Sequence, residues 1–169
     1  MHLTVNVAKL MVLALMPLAP VLASPVSIQV SMPKFYVYGE SDSDRDLIHC
    51  KVAHRDAIAA VQTELRSAGI VIQADSKDPE SVMDTYINIA ATPLPGAKSD
   101  CAYSYELTLE SFNDAANPFT GATEFTKLSY CHKTVMLIGK AETAQATINR
   151  DVRAMAKDCL DKYRNRNSK

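Results

Sequence analysis

The sequence predicts an α+β fold, a two-layer sandwich in the order β-α-β-β-β-β-α, with a mainly antiparallel sheet, two helices on one face and disulfide staples. Three observations lead there. Two segments, around Cys50–Leu65 and Ala141–Tyr163, repeat apolar residues at steps of three and four, the period of a helix with one buried face. The segment Tyr103–Leu109 alternates Tyr103, Tyr105, Leu107 and Leu109 with Ser104, Glu106 and Thr108, the period of a strand buried on one side. Four cysteines, Cys50, Cys101, Cys131 and Cys159, fall in or beside these segments.

The elements follow in order. Val26–Tyr38 is rich in β-branched and aromatic residues and reads as the first strand, with Pro33 suggesting an edge or a bulge. The acidic stretch Asp42–Asp46 then offers carboxylates to cap a helix start before Leu47. Cys50, His54, Ile58, Val61 and Leu65 form the buried stripe of one helix. Gly69 is placed to end it in a left-handed cap, with Ile70 folding back on the last turn. Ile70–Gln73 and Val82–Ala91 read as strands, and Thr92–Gly96 as a loop.

After the Tyr103–Leu109 strand, the turn-rich stretch Asn113–Gly121 should reverse the chain into a long strand from Thr123 to Ile138, closed by Gly139. The last helix carries Ala144, Ile148, Val152, Met155, Cys159 and Tyr163 on one stripe. Packing both stripes on one sheet face buries them most simply, with the first strand, helix and next strand as a crossover.

Residues 1–23 read as an export signal: Lys9 precedes the apolar run Leu10–Leu22, and Val21-Leu22-Ala23 places small residues before Ser24. Pro17 and Pro20 interrupt the run, which falls short of the roughly 20 residues of a membrane span. Residues 24–169 are then expected as a single domain in the periplasm or outside the cell, without a transmembrane anchor. The formal charge of the whole chain is −1, and losing the leader with Lys9 makes it −2. So near-neutral a balance argues against a nucleic-acid partner, which needs a concentrated basic face.

An even cysteine count in an exported chain points to disulfides. No C-x-x-C spacing suggests zinc or redox chemistry. Four cysteines admit three pairings. A hairpin turning near Ala116 makes Cys101 and Cys131 cross-strand neighbours, and leaves Cys50 and Cys159 to join the two helices; Cys101–Cys131 with Cys50–Cys159 is therefore the expected connectivity.

No catalytic or metal-binding set emerges, and no cofactor is expected. Asp42–Asp46 has the alternating acids of a calcium loop, but Leu47 stands where the turn glycine belongs and Ala53 where the closing glutamate belongs. His49, His54 and His132 are spread along the chain, His54 on an apolar stripe, and no nucleophile elbow, H-E-x-x-H helix or phosphate loop is present. Glu106 and Glu110 read as solvated acids on a polar strand face. The strand Leu128–Ile138 is apolar on both sides: Val135 and Leu137 on one, Leu128, Tyr130, Met136 and Ile138 on the other. If helices cover only one face, Phe112, Leu128, Tyr130 and Met136 form a partner-binding patch; the alternative is that Asn113–Gly121 folds over it.

The run Ala59–Ile70 after a strand, the Tyr103–Leu109 strand and the helix ending Cys159-Leu160-Asp161-Lys162-Tyr163 together resemble small exported modules of bacterial envelopes. These are the TolB amino-terminal domain and the auxiliary lipoproteins of envelope transport systems. This chain lacks their lipid-bearing cysteine at the cleavage site. Likeness of fold does not fix function; the apolar sheet face leads to the expectation of a non-catalytic accessory protein that contacts another envelope component, or a second copy of itself, through an exposed sheet face or edge. The alternative is an inhibitor or immunity protein that blocks a toxin or wall-degrading enzyme with a loop such as Asn113–Gly121.

Overall fold

Apolar residues at every second position need a second layer to cover them, and in the computed structural model, which describes residues 32–40, 44–74 and 81–167, three helices provide it. The elements are β1 (Lys34–Gly39), α1 (Arg45–His49), α2 (His54–Ser67), β2 (Ile72–Gln73), β3 (Ser81–Pro93), β4 (Asp100–Ala116), β5 (Thr123–Lys140) and α3 (Ala141–Asn167). The proposed leader and residues Val26–Ser31 of the expected first strand lie outside the described residues.

The sheet order is β2-β1-β3-β4-β5. Strand β1 runs parallel to β2 and β3, while β3, β4 and β5 form an antiparallel meander. Phe35, Met83, Ile87, Tyr103, Tyr105 and Leu107 point into the core against Val61, Leu65, Ile148 and Leu160 of the helices. Helix α2 packs on β1 and β3, α3 packs on β4 and β5, and the two helices touch each other. The fold class is therefore the one the periodicities predict. Asp44 caps α1 by accepting from the Asp46 amide at 2.7 Å.

The first helix is broken in two. After α1, Lys51 takes φ 57°, Val52 N–H donates to Leu47 C=O and Lys51 N–H to Ile48 C=O, which is a Schellman cap with lysine in the position glycine usually fills. Helix α2 ends in the same motif with Gly69 at φ 81° and Ile70 N–H donating to Leu65 C=O, as the sequence predicts.

The disulfides are Cys50–Cys101 and Cys131–Cys159, so the expected pairing is wrong. The physical reason is the position of the hairpin. Asn113–Ala116 does not turn but pairs as strand with Thr123–Thr126, and the reversal is confined to Asn117–Ala122. The ladder consequently sets Cys101 against Gly139 and Leu109 against Cys131. Cys101 and Cys131 lie eight residues apart along the sheet, and each meets a helix instead: Cys101 the end of α1, Cys131 the inward stripe of α3. Nor does Gly139 close the last strand, which continues to Lys140 and enters α3 without a loop.

Candidate binding surface

The side of the sheet away from the helices carries the even-numbered residues of β3 and β4. On β1, Tyr36 stacks on Tyr38 at 5.5 Å and 14°, and Tyr38 lies 5.2 Å from Tyr86 of β3. The Tyr38 hydroxyl donates to Glu110 Oε1 at 3.1 Å. Burial, then this hydrogen bond and the Glu110 charge, hold the Tyr38 phenol well above its usual range. Tyr86 donates to Glu40 Oε1 at 3.0 Å, and burial followed by that bond pushes its pKa up to about 12.

Glu110 is not the solvated acid that strand alternation suggests. It is 1 % exposed. Lys127 Nζ lies 2.5 Å from its Oε2, an ionic approach off the direction of a well-formed hydrogen bond. Asp84 sits opposite Glu110 in the β3–β4 register, and burial followed by the Glu110 charge raises its pKa. Glu106 lies near His132, its Oε2 3.8 Å from Nε2. The Thr108 and Thr134 hydroxyls stand 3.0 Å from the two ring nitrogens of His132.

A hydroxyl, an imidazole and a carboxylate in that order have the composition of a nucleophile, base and orienting acid. Here, though, Thr108 is a buried residue, and Nε2 is nearer to Thr134 than to Glu106. The backbone at Thr108 pairs with Tyr86. The arrangement holds the histidine ring between the two hydroxyls. His49 is exposed on α1 and His54 is buried at the start of α2, on the helix side, so the three histidines are not brought together. Among the described residues no group of three or more His, Cys, Asp or Glu could hold a metal, and no helix is long and apolar enough to cross a membrane.

Apart from Met32, Ile48 and Val71, the large exposed apolar side chains among the described residues lie on the β4–β5 hairpin. Past the last β3 partner, Glu110, strands β4 and β5 continue from the Ser111–Leu128 pair to the Ala116–Thr123 pair, forming an arm that is two-stranded among the described residues. Its turn is built by Asn117, whose Oδ1 accepts from the Phe119 and Thr120 amides at 2.8 and 3.2 Å, an Asx-type turn. Asn117 N–H donates to Ala122 C=O and Gly121 N–H to Asn117 C=O, both at 2.8 Å. Gly121 takes φ 70°. Phe119 at the tip is 95 % exposed, and Phe125, 74 % exposed, stacks on Phe112 at 5.4 Å and 4°.

The four residues expected to form one patch are divided by a bulge in β5, where the register shifts between Leu109 and Glu110. The extra residue, Tyr130, turns toward the helices, stands edge-on to Tyr163 at 5.3 Å and bonds Ser111 Oγ at 3.1 Å. Leu128 pairs with Ser111 and so also faces the helix side, although it remains exposed. Phe112 and Met136 stay on the open side, Phe112 at the base of the arm and Met136 toward the other end of β5, where it is 80 % and Ile138 70 % exposed. Asn117-Pro118 signals a turn in the sequence, but no local pattern marks Phe119 and Phe125 as the aromatic residues exposed on it.

The fold and surface thus define a small disulfide-stapled α+β protein with an open sheet face and an apolar two-stranded arm. No family model matches the chain, and no curated protein matches it either. Among solved structures it is similar to the rare lipoprotein B from Shewanella oneidensis, at 11 % identity and a TM-score of 0.34, over 80 % of this chain and 96 % of that one. That structure is a lipoprotein and not a TolB domain, and a likeness at this level carries no inference about function.

Proposed function

We propose that this is a non-catalytic accessory protein of an oxidising envelope compartment, periplasmic or exported, that grips another envelope component with the β4–β5 arm. The observation that carries this reading is the exposure of Phe119 and Phe125 on a hairpin held in shape by its own hydrogen bonds. Exposed aromatics on a pre-ordered support are the residues that anchor protein interfaces, because little side-chain or loop entropy is lost on binding. Both disulfides and the leader-like residues 1–23 support the compartment.

The test is a crosslinked pull-down from envelope extract with the oxidised protein and with Phe119→Ser and Phe125→Ser variants. The expected result is a discrete partner whose capture falls at least about tenfold in either variant, since truncating an aromatic anchor costs about 2 kcal/mol or more, while thermal melts stay unchanged. Undiminished capture by both variants refutes the reading. A second reading, inhibition of a hydrolase by the same arm, is favoured by its projecting, ordered turn; a captured hydrolase whose activity the wild type blocks would establish it in place of the first.

A further inference from the structure

The two ends of β5 are chemically different, and among the described residues the half beyond the bulge pairs with no strand on its outer side. Ala141 N–H donates to Ser99 C=O, which makes the odd-numbered residues of this half hydrogen-bond inward to β4, because hydrogen-bonded and non-bonded pairs alternate along an antiparallel ladder. The amides and carbonyls of His132, Thr134, Met136 and Ile138 therefore point outward. Their side chains lie on the open face and are exposed.

A free strand edge is usually guarded by charge, proline or a bulge. This half contains no proline and the bulge lies before it. Its two lysines are neutralised within the chain: Lys133 pairs with Asp158 at 2.5 Å and Lys140 with Asp100 at 2.7 Å.

We infer that this edge pairs antiparallel with the same edge of a second copy, about a two-fold axis at Met136, joining the two sheets into one. The occupant is a second copy because the strand complements itself in that register. Outward-pointing residues must meet each other, so Met136 faces the partner's Met136 and Thr134 the partner's Ile138, which gives the most exposed apolar side chains of this half cross-strand neighbours. On the helix side, Val135 faces the partner's Leu137. Val135 already lines an open groove of about 320 Å³ together with Lys133, Asp151, Ala154, Met155 and Asp158, and the partner's Leu137 supplies an apolar group at its mouth. No carboxylate on the strand faces another across the axis. Lys133 meets Gly139, and Lys140, already neutralised, meets His132. The contact is independent of whatever the arm binds, since it uses the opposite end of the strand.

Sedimentation velocity on the purified oxidised protein over a dilution series is expected to show a reversible monomer–dimer equilibrium. Met136→Lys sets two like charges directly opposite each other and removes the Met136–Met136 contact across the axis, and should weaken dimerisation about tenfold or more without lowering the melting temperature of the monomer. Met136→Cys should form a covalent dimer under mild oxidation, because facing residues of a hydrogen-bonded pair stand about 5.5 Å apart, within disulfide reach; Ile138→Cys, offset from its own copy, should not. A monomer at every concentration overturns the inference. So does a dimer indifferent to Met136→Lys, or one that crosslinks better through Ile138→Cys.

Discussion

Removing the Cys131–Cys159 bridge is the perturbation whose cost the structure fixes most directly. The bridge closes a loop with a sequence separation of 28, and chain entropy assigns such a loop about 3.6 kcal/mol at 25 °C; the Cys50–Cys101 bridge, with a separation of 51, receives about 4.1. In the Cys131→Ala/Cys159→Ala variant both sulfurs leave a buried contact between β5 and α3, so packing loss adds to the entropic figure. Urea unfolding should therefore show a loss of about 3.5 kcal/mol or slightly more, and calorimetry a melting temperature lower by roughly 10 °C for a domain of this size. The oxidised variant should carry no titratable thiol, because Cys50 and Cys101 remain joined. A non-reducing peptide map of the wild type that joins Cys101 to Cys131, free thiols in the variant, or a cost below about 1 kcal/mol would each refute this account of how the helices are held.

Two further predictions concern the open face. Lys127→Met strips the counter-ion from a buried Glu110 carboxylate and should cost about 2 to 4 kcal/mol, somewhat less than a fully buried pair because Lys127 is itself half exposed. Adding Glu110→Gln should recover most of that loss, and equal Lys127→Met costs in both backgrounds, read by urea unfolding, would disprove the pairing. Asp84 has a raised folded pKa, so its ionisation opposes folding: the stability linked to this group is full below the unfolded value near 3.9 and is lost as pH rises through the folded one. Asp84→Asn relieves the burial of the carboxylate first and its repulsion by Glu110 second, and should therefore stabilise the protein at neutral pH, the like-charge part contributing roughly 0.2 to 1 kcal/mol, and by nothing in strong acid; a gain independent of pH would contradict the assignment.

What could be read from the sequence is what depends on local pattern. The Tyr103–Leu109 alternation places the core side of β4, the helical stripes put α2 and α3 on one sheet face, and Gly69 and Asp44 announce a helix end and a helix start. What could not be read depends on partners distant in sequence. Asn113–Ala116 has turn-forming composition and is strand only because Thr123–Thr126 pairs with it; misplacing that turn misplaces both disulfides. Lys51 adopts a left-handed backbone with no glycine to signal it. Glu110 alternates with buried residues as a surface acid would, and it is covered by Tyr38 from β1 and Lys127 from β5, neither of which sequence spacing can place beside it.

The bulge at Tyr130 has the largest consequence for function. Without it, Leu128 and Tyr130 would share the open face with Met136 and Ile138 in one continuous apolar stripe, an edge prone to unselective pairing. The extra residue turns Tyr130 under Tyr163, and Arg166 Nη1 donates to its carbonyl at 3.4 Å, so the outer edge is covered where the arm begins. Two separate apolar surfaces result. Each rests on a rigid base: the arm on the Glu110–Lys127 pair, and the free edge on Cys131–Cys159, Lys133–Asp158 and the Tyr105 hydroxyl bonded to Asp151 at 2.5 Å. Surfaces held in this way lose little conformational entropy on association, and one can be occupied while the other stays open.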